Sequence, residues 1–238
     1  GTCTAHPEPY ARFIDAFVVG DGEEAVVGVA EALRDTRGAP RAERLEALTE
    51  VPGAYVPLLY PLVTGEDGTI LPDPNGQSIR RAMIRELESQ PCPTDYIVPF
   101  TQQVHDRVSM EVLRGCTQGC RFCQAGMTYR PVRERSVEQN LELAEQGIGH
   151  SGFDELSLLS LSTGDYSCLP EVLPELMRRF ASEKVSVAMP SMRVGTLTRD
   201  LMDQIRRVRK TGFTLAPEAG SERLRQTINK GISEADLL

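Results

Sequence analysis

The chain has 238 residues, of which 40% are hydrophobic and 25% charged, with 20 Gly and 16 Pro. This is a globular composition with enough apolar residues for a sizeable core, and it excludes disordered, collagen-like and disulfide-scaffold classes. The net charge of -8, from 26 Lys+Arg against 34 Asp+Glu, argues against indiscriminate nucleic-acid binding, and a chain without Trp and with 5% aromatics has little surface for base stacking.

In chain order, Phe13 to Val19 is a short apolar run, followed by Gly20-Asp21-Gly22-Glu23-Glu24. Asp21 and Glu24 have capping-box spacing, and Val26, Ala30 and Leu33 recur at helical spacing, so the segment reads as strand, glycine turn and helix. From Gly53 to Gly76 the repeated Pro and Gly read as connector or hairpin. Ser78 is expected to cap a short helix with Ile79, Met83 and Leu87 on one face. Val108, Met110 and Val112 then alternate as a strand does, and a cysteine cluster follows. Ser136 and Gln139 form a second capping box ahead of a helix striped by Val137, Leu141, Ala144 and Ile148. Leu156 to Leu161 reads as a strand buried on both faces, Leu173, Leu176, Met177 and Phe180 as a helix, and Val185 to Met189 as a third strand. Leu201, Met202, Ile205 and Val208 mark a third helix, with Arg206, Arg207, Arg209 and Lys210 in its last turn. Phe213 to Ala216 is the expected fourth strand, and Ser221 caps a fourth helix carrying Leu224 and Ile228.

Four consecutive βα units predict an α/β fold with a parallel sheet whose chemistry lies at the carboxyl ends of the strands. Polar or Gly-rich segments recur at those places. They are the cysteine cluster, Ser162-Thr163-Gly164-Asp165, Pro190-Ser191-Met192-Arg193 and Pro217-Glu218-Ala219-Gly220.

Of the six cysteines, Cys116, Cys120 and Cys123 follow a C-x3-C-x2-C spacing. Three thiolates on one short loop suit a corner of a soft-metal cluster, and Gly115 and Gly119 let the backbone curl around it. Structural zinc normally takes four ligands in paired knuckles, and a bacterial ferredoxin shows C-x2-C-x2-C-x3-C-P. Neither pattern is present. Three protein ligands on a [4Fe-4S] cluster leave one iron open for a small molecule; zinc and plain buried thiols are the competing readings. Cys3, Cys92 and Cys168 are isolated and read as small buried hydrophobes.

The cysteine loop resembles that of the radical S-adenosylmethionine (radical SAM) superfamily, marked by such a loop after the first strand of a partial (β/α)6 barrel. His105-Asp106-Arg107, Glu111, Arg114-Gly115-Cys116-Thr117, Gly119 to Gly126 and Tyr129 to Ser136 are similar to a bacterial branch with a cobalamin-binding-like domain before the radical SAM domain. That branch is similar in layout to the tRNA and ribosomal methylthiotransferases. The resemblance implies three regions. Residues 1–50 would be the remnant of a flavodoxin-like cobalamin-binding-type domain, 51–104 a Pro/Gly-rich connector with a short helix, and 105–238 a radical SAM core holding its first four βα units. Both ends of the chain are expected to be cut.

The resemblance implies that Cys116, Cys120 and Cys123 ligate a [4Fe-4S] cluster whose fourth iron binds S-adenosylmethionine. Phe122 would sit beside the adenine. Ser162, Thr163, Gly164 and Asp165 occupy the place of the family's Gly-Gly-Glu motif, with the first glycine replaced and Asp165 as the acid. Ser191 and Arg193 would reach the ribose and carboxylate of the cofactor, and Glu218 its polar groups. Reductive cleavage to a 5'-deoxyadenosyl radical is the implied chemistry, applied to methylthiolation or methylation of RNA or protein. Flavodoxin or ferredoxin is the implied electron donor, and cobalamin belongs only to a longer parent. The alternative function is a non-catalytic metal-binding or redox-sensing module.

No apolar run reaches the ~20 residues of a membrane span and no hydrophobic leader opens the chain, so no membrane partner is expected and the reducing cytoplasm is the expected compartment. His105, before the first strand of the core, reads as structural. The cluster Arg114, Arg121, Arg130, Arg133 and Arg135 has two readings, charge balance for the thiolates or guidance of an anionic substrate such as RNA.

Overall fold

The computed structural model describes the chain except residues 1, 75, 77, 102, 197, 207, 209–214 and 238 and the side chains of residues 2 and 3. It divides into two compact units, Gly1–Arg85 and Glu86–Leu238, so the division falls inside the stretch expected as a connector.

In the first unit, β1 (Phe17–Val18) pairs antiparallel with β2 (Ala54–Tyr55), with Phe17 opposite Tyr55. Helices α1 (Glu23–Asp35) and α2 (Arg41–Leu48) pack on each other. Small clusters built on Ala25, Val51 and Ala54 and on Leu45, Leu48 and Val56 form the core. β3 (Leu62–Thr64) and β4 (Ile70–Pro72) make the expected hairpin, exposed along its length.

Two local expectations fail here. Asp21 does not cap α1, whose N-cap is Gly22 without a side-chain bond; instead Asp21 is buried and its Oδ2 accepts the Ile84 amide at 3.1 Å. The helix expected after Ser78 is absent, and residues 78–87 carry no helical turn. The Ala82 amide donates to Val19 O at 2.8 Å and Ala82 O accepts from the Asp21 amide at 2.9 Å, which takes both groups away from any helical ladder.

The second unit holds a three-stranded parallel sheet of β5 (Val108–Glu111), β8 (Glu155–Leu159) and β9 (Ser186–Ala188), in the order β5-β8-β9. Between β5 and β8 lie β6 (Leu113–Arg114), its antiparallel partner β7 (Arg133–Glu134), the short α3 (Gln124–Thr128) and α4 (Val137–Ser151). Helix α5 (Leu169–Phe180) joins β8 to β9, and α6 (Arg199–Arg206) follows β9. α4 packs on β5 and α5, and α5 on β9 and α6. Val108, Met110, Leu156, Leu158, Val172 and Leu176 are at most 1% exposed, and burial of each such side chain contributes about 1.5–3 kcal/mol.

Ser136 caps α4 as read, its Oγ accepting the Gln139 amide at 3.2 Å, but the reciprocal half of the box is not made, because the Gln139 side chain bonds Arg135 and Glu88 O instead. Ser221 likewise caps α7 (Glu222–Thr227) through the Leu224 amide. Of the expected fourth strand, Phe213 and Thr214 lie outside the described residues, as do Arg207, Arg209 and Lys210 of the basic run, while Leu215 and Ala216 carry no strand. At the amino end of the sheet Arg107 joins His105 Nδ1 at 2.6 Å to Glu155 Oε1 at 2.8 Å, a tie between β5 and β8.

Candidate functional site

Three loops leave the carboxyl ends of the sheet, and one carboxylate collects them. The cysteine loop follows β6, residues 160–165 follow β8, and residues 190–193 follow β9. Asp165 Oδ2 accepts Gln118 Nε2 of the cysteine loop at 2.8 Å and Ser162 Oγ at 2.7 Å, and Arg193 Nη1 reaches both Asp165 oxygens at 3.4 Å. The Thr163 amide donates to Ser191 O at 2.8 Å, locking the second loop to the third. Ser162 and Thr163 are buried at 1% and 0%, so their polar atoms need partners within the protein. They have them. Ser160 Oγ lies 2.8 Å from Thr163 Oγ1 and accepts the Ser162 amide at 3.1 Å. At Gly164 a Cβ would stand 2.0 Å from Thr196 Oγ1, so the close approach of the chain after β9 excludes a side chain.

Within the cysteine loop, Gly115 has φ +93°, and a Cβ there would lie 2.7 Å from Tyr129 O and 2.8 Å from Pro131 O. This turn is what swings the chain from β6 into the thiol-bearing segment. Cys116, Cys120 and Cys123 are free thiols, all partly exposed. Cys116 Sγ accepts the Gln118 amide at 3.5 Å, and Cys123 caps α3 by accepting the Gly126 amide at 3.4 Å.

Phe122 and Glu218 meet through a different residue. Phe122 is 53% exposed, Lys230 Nζ lies 5.7 Å from its ring centroid, and the same ammonium pairs with Glu218 Oε1 at 3.4 Å. The structure therefore gathers Ser162, Thr163, Asp165, Ser191 and Arg193 into one hydrogen-bonded group and Phe122 with Glu218 into another, and Gln118 ties the cysteine loop to the first.

The basic cluster is largely spent inside the unit. Arg114 forks onto both Glu111 carboxylate oxygens at 2.8 and 2.6 Å, and Arg135, 3% exposed, donates to Glu111 O, Gln90 O and Gln139 Oε1. Arg133 is 6% exposed and donates to Tyr129 O. Arg121 and Arg130 remain at the surface, donating to Thr227 O and Cys116 O. Such internal bonding leaves no five-arginine surface for a polyanion.

Sequence reading missed Gln118, Asn229 and Lys230. Their roles depend on partners 12 to 111 positions away, as in Lys230 with Glu218, Gln118 with Asp165 and Asn229 with Gln118. The one local signal was Asn229-Lys230-Gly231 after a capped helix, a run suited to left-handed backbone at a helix end. Cys92 and Cys168 are part-buried free thiols, and burial pushes the Cys92 thiol up from its ordinary value.

The family model "Radical SAM superfamily" matches residues 110–238, and "Radical SAM proteins, N-terminal" matches residues 1–57. An uncharacterised protein of Methanocaldococcus jannaschii is 38% identical over 128 residues, 54% of this chain and 27% of its own length. The tRNA-2-methylthio-N(6)-dimethylallyladenosine synthase of Parabacteroides distasonis is 28% identical over 185 residues, 71% of this chain and 39% of its own length. The chain thus spans well under half of the curated relatives it matches. Among solved structures, the cobalamin-dependent radical enzyme OxsB, with aqua-cobalamin and S-adenosylmethionine bound, matches with a TM-score of 0.60 and 13% identity over 99% of this chain and 32% of that one. The radical S-adenosylmethionine methyltransferase TsrM of Kitasatospora setae matches with a TM-score of 0.60 and 13% identity over 93% of this chain and 41% of that one. These two likenesses establish a shared fold. The superfamily model takes in more than half of the sequence, cysteine loop included, and the chain belongs to the radical SAM superfamily.

Proposed function

We propose that this chain is the cofactor-binding part of a radical SAM enzyme acting on RNA or protein by methylation or methylthiolation, with Cys116, Cys120 and Cys123 as the ligands of a [4Fe-4S] cluster. The observation that carries the reading is the convergence on Asp165 of donors from the cysteine loop and from the loops after β8 and β9. When bound, the cluster supplies the electron that cleaves the sulfonium of S-adenosylmethionine to methionine and a 5'-deoxyadenosyl radical, which removes hydrogen from the substrate.

The donor set suits that group. Cys116, Cys120 and Cys123 are free, partly exposed thiols on one short loop, and a cubane takes each thiolate on a different iron. Among the described residues Asp165 Oδ1 has only the long Arg193 contact, so it keeps accepting capacity for an ammonium such as the methionyl amino group. Arg193, next to it and 20% exposed, offers guanidinium N–H groups to the neighbouring carboxylate. Phe122 offers a half-exposed ring for the adenine face, Glu218 an acceptor beside it, and Ser162, Thr163, Gly164 and Ser191 hold the shape of the wall. The electron donor is assigned to the flavodoxin or ferredoxin class.

The test is anaerobic reconstitution with iron and sulfide. The expected result is about four irons per chain, as a cubane requires, with broad visible absorption and reductant-dependent 5'-deoxyadenosine. Cys120→Ala should lose iron and product together, whereas Asp165→Asn should keep iron and bind S-adenosylmethionine more weakly. Stoichiometric zinc and no iron in protein purified without air, with the zinc lost in Cys120→Ala, would overturn the reading and leave a metal-binding or redox-sensing module.

A further inference from the structure

We propose that Asn229 is a positioning residue for the cysteine loop, holding the Gln118 and Gly119 carbonyls so that the loop keeps the shape its thiols need. Asn229 Nδ2 donates to Gln118 O at 3.2 Å and to Gly119 O at 2.9 Å. The residues on either side continue the grip. The Arg121 amide donates to Ile228 O at 2.9 Å, Arg121 Nη1 donates to Thr227 O at 2.6 Å, and Lys230 Nζ stands over the Phe122 ring. Four successive residues, 227 to 230, thus each engage the segment that carries Cys120.

This turn is braced from behind. Arg225 is 2% exposed, its Nε donates to Ile232 O at 2.8 Å, and its Nη1 donates to Ala219 O at 3.1 Å and Gly220 O at 3.2 Å. The Lys230 amide donates to Arg225 O at 2.8 Å. A buried guanidinium whose Nε and Nη1 donate to three carbonyls makes the segment a formed element rather than a loose tail.

Asn229 has φ +55°, as the residue after a helix end often does, and glycine would serve that backbone equally well. The two side-chain bonds are therefore an addition that helix termination does not require. They also have a consequence for the loop's amides. A trans peptide places C=O and N–H on opposite sides, so turning the Gln118 and Gly119 carbonyls toward Asn229 sends the Gly119 and Cys120 N–H groups to the other face. Amide hydrogens near cluster sulfurs tune both affinity and potential, which is where this inference rests on the cluster reading above.

The experiment uses the full 238-residue chain, both unloaded and reconstituted. Asn229→Gly keeps the left-handed backbone and deletes the amide, and Asn229→Asp sets an acceptor against two acceptors. In the unloaded, reduced chain, iodoacetamide alkylation of Cys120 and hydrogen exchange at residues 119–121 should both speed up at least on the order of fivefold in Asn229→Gly, which loses two hydrogen bonds, and more in Asn229→Asp. Arg121→Lys, which loosens the same grip from the other side, should do likewise. After reconstitution the electron paramagnetic resonance signal of the reduced cluster should shift or broaden in the Asn229 variants. Parent-like alkylation and exchange in both Asn229 variants would overturn the proposal. A parent chain that binds no iron, with the loop still loosened in Asn229→Gly, would instead sink the cluster reading and support the positioning role.

Discussion

The sheet and the cysteine loop of the second unit are built from opposite materials. β5 and β8 place Val108, Met110, Leu156 and Leu158 in a core where each is at most 1% exposed, and the strands hold register because a one-residue slip would turn that face outward. The loop from Gly115 to Cys123 buries little. Its shape depends on a positive φ at Gly115, the Gln118 bond to Asp165, the Arg121 bond to Thr227 O, and the bond that Asn229, in the turn after α7, donates to Gly119 O. Apolar burial is additive and forgiving of small displacements. A loop held by a few directed bonds is set by each of them, and it leaves its thiols accessible to iron.

The sharpest way to break this contrast is to damage each region separately. Leu158→Ala should cost about 2–5 kcal/mol of stability in a denaturant titration, because it opens a cavity in the buried cluster that also holds Met110, Leu156 and Val172. Cys120→Ala in the unloaded chain should change stability by less than about 0.5 kcal/mol, as surface substitutions do, while abolishing iron uptake. If the unloaded Cys120→Ala chain unfolded as readily as Leu158→Ala, the loop would be part of the cooperative core and the distinction would fall.

Gly164 sits where the two regions meet, and its effect is intermediate. Gly164→Ala forces a methyl to within 2.0 Å of Thr196 Oγ1 and should cost about 1–3 kcal/mol, the range for overpacking. It should also weaken S-adenosylmethionine binding measured by calorimetry, since Asp165 is the next residue. Combining it with Thr196→Gly removes the opposing side chain and should recover most of both losses. Recovery of stability without recovery of binding would mean that Gly164 serves the cofactor directly and not through packing.

The same division decides what could be read from sequence. Alternating Val108, Met110 and Val112, the stripe on α4, and the Ser136 and Ser221 caps are local patterns, and they form as read. Asp21 and the stretch after Ser78 also looked local, but each is governed by a partner about 60 positions away, as in the Ile84 amide on Asp21 Oδ2. Closing such long loops leaves no local pattern in sequence. Asn140 shows the same limit inside a helix. It lies on the buried face of α4 and donates to Tyr166 Oη at 2.8 Å, which in turn donates to Arg135 O. Among the site residues, the cysteine spacing and the Ser162 to Asp165 run were visible because one loop carries each. Gln118, Asn229 and Lys230 were not, because their meaning lies in the loops they join.

The smallest expected effect tests whether polar contacts outside the loop matter as those within it do. On the outer surface of α5, Glu175 accepts Arg178 Nη2 at 2.5 Å and Arg179 Nε at 2.9 Å, at i,i+3 and i,i+4 spacing. Hydrogen bonds from Arg178 and then Arg179 hold its carboxyl down at about 2, against an ordinary value of 4.5. A carboxylate whose folded value is depressed stabilises the fold above the unfolded value, and that contribution is lost as pH falls from about 4.5 towards 2. The melting temperature of the parent should therefore exceed that of Glu175→Gln at pH 7, and the gap should close on acidification through that window. Because the pair faces solvent, the gap should be small and should shrink with added salt. A large, salt-insensitive gap would place α5's surface among the structural contacts that matter, and the separation of a burial-held sheet from a bond-held loop would then need a third category.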